Sequence, residues 1–129
     1  MSNQQKTTGG CMCGEVRYEA IGEPLHIGYY HCHSCRHHTG APAAAVVVFE
    51  TDKVCFTQGD RSIYNSSPGI GRGFCGQCGT TLTWEGRGSI SLQIGTLDDP
   101  NNHVPTLHWY YEERIPWFEV ASDLPRLKD

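Results

Sequence analysis

Phe74-Cys75-Gly76-Gln77-Cys78-Gly79-Thr80 is the stretch on which the fold turns. Two cysteines three positions apart, each followed by glycine, suit one side of a tetrahedral metal site. The tight turn brings both sulfurs to the same side, and glycine permits the backbone angles it needs. A second half-site stands more than sixty residues earlier in Gly10-Cys11-Met12-Cys13-Gly14, and a third close pair is Cys32 and Cys35. Cys55 stands alone and makes the total of seven odd. The opening residues are polar and carry no apolar export signal, so a cytoplasmic, reducing setting is expected. In that setting such pairs are metal ligands before they are disulfides.

One tetrahedral ion takes four thiolates, so six paired cysteines cannot all share it. The pair left over is expected to be Cys32 and Cys35, because its surroundings differ. His31, His33, His37 and His38, four of the seven histidines, crowd around it. Imidazole is a good zinc ligand, so two thiolates and one histidine with an open position is chemically reasonable there. If Cys11 and Cys13 share an ion with Cys75 and Cys78, the metal closes a loop of more than sixty residues. That would remove much of the unfolded chain's freedom.

Working outward from the cysteines, the remaining sequence reads as β structure. The chain has 129 residues, only 38% of them apolar, with 15 glycines and 7 prolines to interrupt any long helix. That excludes a helical bundle or coiled coil. No apolar run of about 18 residues is present to span a membrane. A net charge of −4 weighs against nucleic acid as a partner. Short alternating stretches between turn signals predict strands over 16–21, 25–30, 43–49, 54–58, 61–65, 71–75, 80–84, 90–95, 107–111 and 117–120. Gly59-Asp60 is expected to turn a hairpin, and 33–38 to make one helical turn. The expected organisation is a flexible tail over 1–8 and a single zinc-binding β domain over 9–129.

Several spaced motifs together resemble the glutathione-dependent formaldehyde-activating enzyme family, whose relatives include centromere protein V. They are Gly10 to Tyr18, Cys32 to Cys35 with Thr39-Gly40, Arg72 to Thr80, Gly95 to Pro100, Pro105 to His108, and Pro116-Trp117-Phe118. The resemblance implies an all-β, zinc-stapled β-tent of antiparallel sheets, as in the Rab-exchange-factor-like superfamily. It also implies a structural zinc on Cys11, Cys13, Cys75 and Cys78. Relatives hold a second zinc on a C-x-C-x-x-C segment, which reads Tyr30-His31-Cys32-His33-Ser34-Cys35 here. Tyr30 replaces the expected first cysteine, and a phenol is a poor zinc ligand beside a thiol. Cys32, Cys35 and a histidine such as His33 are then the candidate second set.

The chemistry the resemblance implies is that of a carbon–sulfur lyase or synthase joining formaldehyde and glutathione as S-hydroxymethylglutathione. Cys32 and Cys35 are the candidate catalytic residues. Arg36 and Arg72 are candidates to grip a carboxylate of a small thiol such as glutathione in bidentate fashion. The alternative is a non-catalytic zinc module that binds a thiol ligand or a protein. Elsewhere, Cys55 is expected as a buried thiol, His108 as a hydrogen-bonded core residue, and Trp84, Trp109 and Trp117 as packing. Asp98 and Asp99 are expected to cap the turn before Pro100.

Overall fold

The computed structural model describes residues 5–119. Alternation and β-branching put nearly half of them in ten strands, and these form two sheets. A three-stranded antiparallel sheet contains β1 (Lys6–Gly10), β2 (Arg17–Ile21) and β5 (Val54–Gln58), in the order β1-β2-β5. The larger sheet has seven strands: β3 (His26–Tyr30), β4 (Ala44–Glu50), β6 (Ser62–Ser67), β7 (Ile70–Phe74), β8 (Thr81–Gly86), β9 (Ser89–Gln93) and β10 (Leu107–Trp109). Their order is β10-β3-β4-β9-β8-β7-β6. The one α-helix among the described residues, α1 (His33–Thr39), follows β3 and ends on Gly40, whose φ of 70° lies in the left-handed region that favours glycine.

Strand β4 explains why Val46-Val47-Val48 is apolar without alternation. Val47 and Phe49 are fully buried in the main core, with Val16, Tyr18, Leu82, Ile90 and Leu92. Ala44, Val46 and Val48 face the other way and pack with Cys35, Tyr30 and Cys32. A strand covered on both sides has no polar face to show. Cys11 and Cys75 belong to the main core, so the metal half-sites are anchored in its apolar packing.

The mainly β expectation holds, with four corrections. The larger sheet is mixed, because β10 runs parallel to β3. The expected 1–8 tail is too long: Lys6–Gly10 pairs along its whole length with β2, register Lys6↔Ile21 to Gly10↔Arg17. Gly59-Asp60 does not close a hairpin, because β5 joins β2 in one sheet while β6 joins β7 in the other. The tight turns are instead Pro68-Gly69 between β6 and β7, and Arg87-Gly88 between β8 and β9. Arg87 and Gly88 both have positive φ, 54° and 78°, as a two-residue turn matched to strand twist requires. Finally, residues 117–119 are not a strand, and position 120 of that expected strand lies outside the described residues.

Candidate metal centre and thiol cleft

The first half-site is the turn between β1 and β2. The Cys11 amide donates to the Val16 carbonyl at 3.0 Å and the Gly14 amide to the Cys11 carbonyl at 3.2 Å. The second half-site repeats this plan between β7 and β8. The Cys75 amide donates to the Thr80 carbonyl at 2.9 Å and the Gly79 amide to the Cys75 carbonyl at 2.8 Å. Gly14 and Gly79 hold φ of 84° and 82°, so each turn depends on a residue free of a Cβ penalty.

These turns bring the sulfurs of Cys11, Cys13, Cys75 and Cys78 within 4.8 Å of one another. Cys11 and Cys13 stand 3.6 Å apart, Cys13 and Cys75 3.8 Å. A tetrahedron with metal–sulfur bonds of about 2.3 Å has edges of about 3.8 Å, so the four sulfurs fit one zinc-sized ion. Backbone amides already face them as they would face thiolates. Val16 donates to the Cys11 sulfur at 3.3 Å, and Gln77 and Cys78 to the Cys75 sulfur at 3.4 and 3.5 Å. The Thr80 hydroxyl and amide, helped by the Cys13 amide, pull the Cys78 thiol down to about 5. The Glu15 amide lowers the Cys13 thiol, but desolvation and the neighbouring sulfurs outweigh it and push Cys13 up to about 12. Four thiols this close cannot all ionise unless a cation joins them. The centre can hold a metal.

The segment carrying Thr96 and Asp98 secures the first half-site. Arg17 forms an ion pair with Asp98, whose carboxylate also accepts from the Thr8 hydroxyl at 2.8 Å. The Tyr18 hydroxyl meets that of Thr96 at 2.5 Å, and burial pushes the phenol up to about 12. Asp98 therefore ties a loop to the strand leaving the metal turn, in place of the turn-capping role expected of it.

The second cysteine pair lies elsewhere, where β3 runs into α1. The sulfurs of Cys32 and Cys35 are in contact, with Cα atoms 5.3 Å apart. They line a cleft of about 300 Å³ with Tyr30, Arg72, Trp84 and Tyr110. A deeper apolar recess continues from it between Val46 and Gln93. Arg72 is only 8% exposed, so it is no surface charge. Its Nε donates to the Ser66 hydroxyl at 3.2 Å and its Nη1 lies 4.0 Å from the Cys35 sulfur. No carboxylate pairs with it among the described residues, and burial without a counter-charge lowers its pKa. Burial, and then the charge of Arg72, likewise lower the pKa of His38.

The other candidates fall outside this arrangement. Arg36 lines a separate depression with His37, Ile115 and Trp117, and its Nε donates to the His31 carbonyl at 3.4 Å. His33 lines the cleft, but its ring stacks on His37, centroids 4.0 Å apart. The Tyr30 hydroxyl is engaged with His26 Nε2 at 2.9 Å. Among the described residues no second group of three converging ligands forms, so Cys32, Cys35 and His33 do not make a metal site in this arrangement. Cys55 is exposed, contrary to the expectation of a buried thiol. His108 is hydrogen-bonded, Nδ1 to His31 Nε2 at 2.9 Å, but it sits at the surface.

Sequence reading missed Glu113 and Tyr110, and gave Thr80 no role within its motif. Glu113 accepts from the His33 amide at 3.1 Å, and Tyr110 reaches the cleft with a left-handed φ of 56°. None carries a local signal, because each is defined by what folds against it.

Fold and site together define a β protein clasped by four cysteines, with a separate thiol-lined cleft. The family model for the glutathione-dependent formaldehyde-activating enzyme matches residues 6–113, and the chain belongs to that family. No curated protein matches it. Among solved structures it is similar to a structural-genomics protein from Rhodobacter sphaeroides, with a TM-score of 0.63 and 19% identity. That match covers 79% of this chain and 98% of the other, and it supports the fold.

Proposed function

We propose that the protein is a zinc-clasped enzyme acting on the carbon–sulfur adduct of an aldehyde with a small acidic thiol of the glutathione class, and that the Cys32/Cys35 cleft is where it acts. The observation that carries this reading is Arg72, a buried guanidinium with no carboxylate partner among the described residues, beside two cysteine sulfurs. A buried cation of this kind is costly unless an anion answers it, and a guanidinium matches a carboxylate with two parallel donors. Family membership names the same substrate class. In this reading Arg72 holds the carboxylate of the thiol, while Tyr30 and Trp84 wall the cleft against water. Cys32 and Cys35 supply the sulfur groups at the reacting end. Zinc at Cys11, Cys13, Cys75 and Cys78 is structural: it joins the turn of the small sheet to that of the large one.

The test measures glutathione binding and turnover on the same preparation. Calorimetry is expected to show binding that weakens at least about tenfold in Arg72→Gln, the loss of one charge-assisted contact. S-hydroxymethylglutathione is expected to form or break down faster than in the protein-free control, which matters because the uncatalysed addition is itself fast. A second reading, a module that binds the thiol or a protein without turning it over, draws on the absence of a third ligand at Cys32 and Cys35. Binding without any rate above the control would select it.

A further inference from the structure

The cysteines of the cleft lack what a metal site needs and have what a redox pair needs. Their Cα separation of 5.3 Å falls within the disulfide range of about 4.4–6.8 Å. The groups nearest in sequence to complete a metal shell engage other partners, Tyr30 with His26 and His33 with His37. The two sulfurs also differ in access. Cys32 is partly exposed at the cleft, whereas Cys35 is 7% exposed and packs against Ala44, Val46 and Val48. The Arg72 guanidinium sits on the buried member.

We infer that Cys32 and Cys35 form a dithiol that exchanges electrons with small acidic disulfides entering the cleft. The inference rests on the reading that an acidic thiol of the glutathione class occupies this cleft. The Cys32 thiolate attacks one sulfur of the small disulfide, its S–S bond breaks, and one thiol leaves with a proton from solvent. Cys35, having given its proton to solvent, then attacks the Cys32 sulfur of the mixed disulfide and expels the second thiol, which takes up a proton. Two protein thiols are oxidised to one disulfide while one small disulfide is reduced to two thiols. Run backwards, two small thiols regenerate the dithiol. The partly exposed sulfur is the one a substrate can reach, and the buried one resolves the intermediate. Arg72 favours thiolate at Cys35 and selects substrates that carry a carboxylate. Closing the pair also withdraws both sulfurs from carbon–sulfur chemistry, so the poise of the small-thiol pool would set how much of the enzyme is active.

The experiment uses the full chain with its metal bound. It is equilibrated with glutathione and glutathione disulfide at graded ratios, quenched with an alkylating reagent, and analysed by peptide mass spectrometry. The peptide carrying Cys32 and Cys35 is expected to pass from two alkylated thiols to none as the disulfide share rises. Cys35→Ser is expected to accumulate the mixed disulfide on Cys32. Exchange rates are then compared for glutathione disulfide and the neutral hydroxyethyl disulfide. Their ratio is expected to fall at least about tenfold in Arg72→Gln. Exchange with neither disulfide, or no mixed disulfide on Cys32 in Cys35→Ser, would overturn the dithiol while leaving the aldehyde-adduct assay to stand on its own. Equal exchange with both disulfides, unaffected by Arg72→Gln, would uphold the dithiol and overturn the acidic-thiol reading on which its selectivity depends.

Discussion

The Thr80 hydroxyl lies 3.1 Å from the Cys78 sulfur and accepts the Met12 amide at 3.1 Å, so one side chain joins the two cysteine turns directly. A hydroxyl that receives from one turn and donates to a sulfur of the other fixes their relative position before any ion arrives. Outer partners of this kind typically govern metal affinity by about 10–100-fold. Thr80→Val is therefore expected to lose metal to a chelator about 10–100-fold more readily, and Thr80→Ser to restore most of it. Competition with a chromogenic chelator measures both; equal retention in all three proteins would remove Thr80 from the site.

Stripping the metal should unfold the chain rather than loosen one loop. Cys11 and Cys75 are 8% and 1% exposed and lie in the main core, so losing the ion disturbs packing there as well as the loop closure. A strong chelator is expected to abolish the cooperative thermal transition, and Cys75→Ser to yield little folded protein. An unchanged melting temperature after confirmed metal loss would refute the clasp.

That clasp was the most legible feature of the sequence, because a tetrahedral ion imposes fixed spacing on its ligands and spacing survives in one dimension. Strands such as Val54–Gln58 were legible for a similar reason, since alternation reports one buried face. What was not legible was partnership. Gly59-Asp60 looks like a hairpin turn, yet the chain uses it to leave one sheet for the other, a choice made by the distant strands β2 and β7. Arg72 was a candidate to grip a carboxylate, but its burial beside Ser66 and Cys35, which sets it apart from Arg36, is decided by what folds against it. The Cys32/Cys35 pair was visible, but its lack of a third ligand depends on where Tyr30 and His33 turn.

Close backbone approach gives a sharper stability test. A Cβ at Gly9 would stand 2.5 Å from the Tyr18 hydroxyl and collide with the Thr96 carbonyl, inside the clamp that holds the first metal turn. Neither neighbour can retreat, since the two residues are hydrogen-bonded to each other. Gly9→Ala is expected to cost about 1–3 kcal/mol, the usual penalty of overpacking, read from denaturant unfolding at constant slope. Gly95→Ala, where a Cβ meets nothing within 4 Å, is the control expected to stay near wild type.

Acid sensitivity should localise to the Arg61–Glu85 pair. Arg61 donates to the two Glu85 oxygens at 2.8 and 2.6 Å, and the Thr83 hydroxyl donates to the same carboxylate at 2.7 Å. Burial alone would raise the Glu85 carboxyl, but Arg61 and then Thr83 outweigh it and hold it below the usual range. The unfolded chain therefore binds the proton first as pH falls, so the stabilisation is complete above the ordinary glutamate pKa. It drains away as pH drops toward the lower folded value. Stability of the wild type is expected to fall over that acid window, and Glu85→Gln to be less stable at neutral pH by about 1–3 kcal/mol with a shallower acid slope. Asp98, lowered chiefly by a hydrogen bond from Arg17, and Asp60, lowered chiefly by one from the same Arg61, keep some slope in the variant. Unfolding curves at graded pH that run parallel for the two proteins would show that the pair contributes nothing to the acid response.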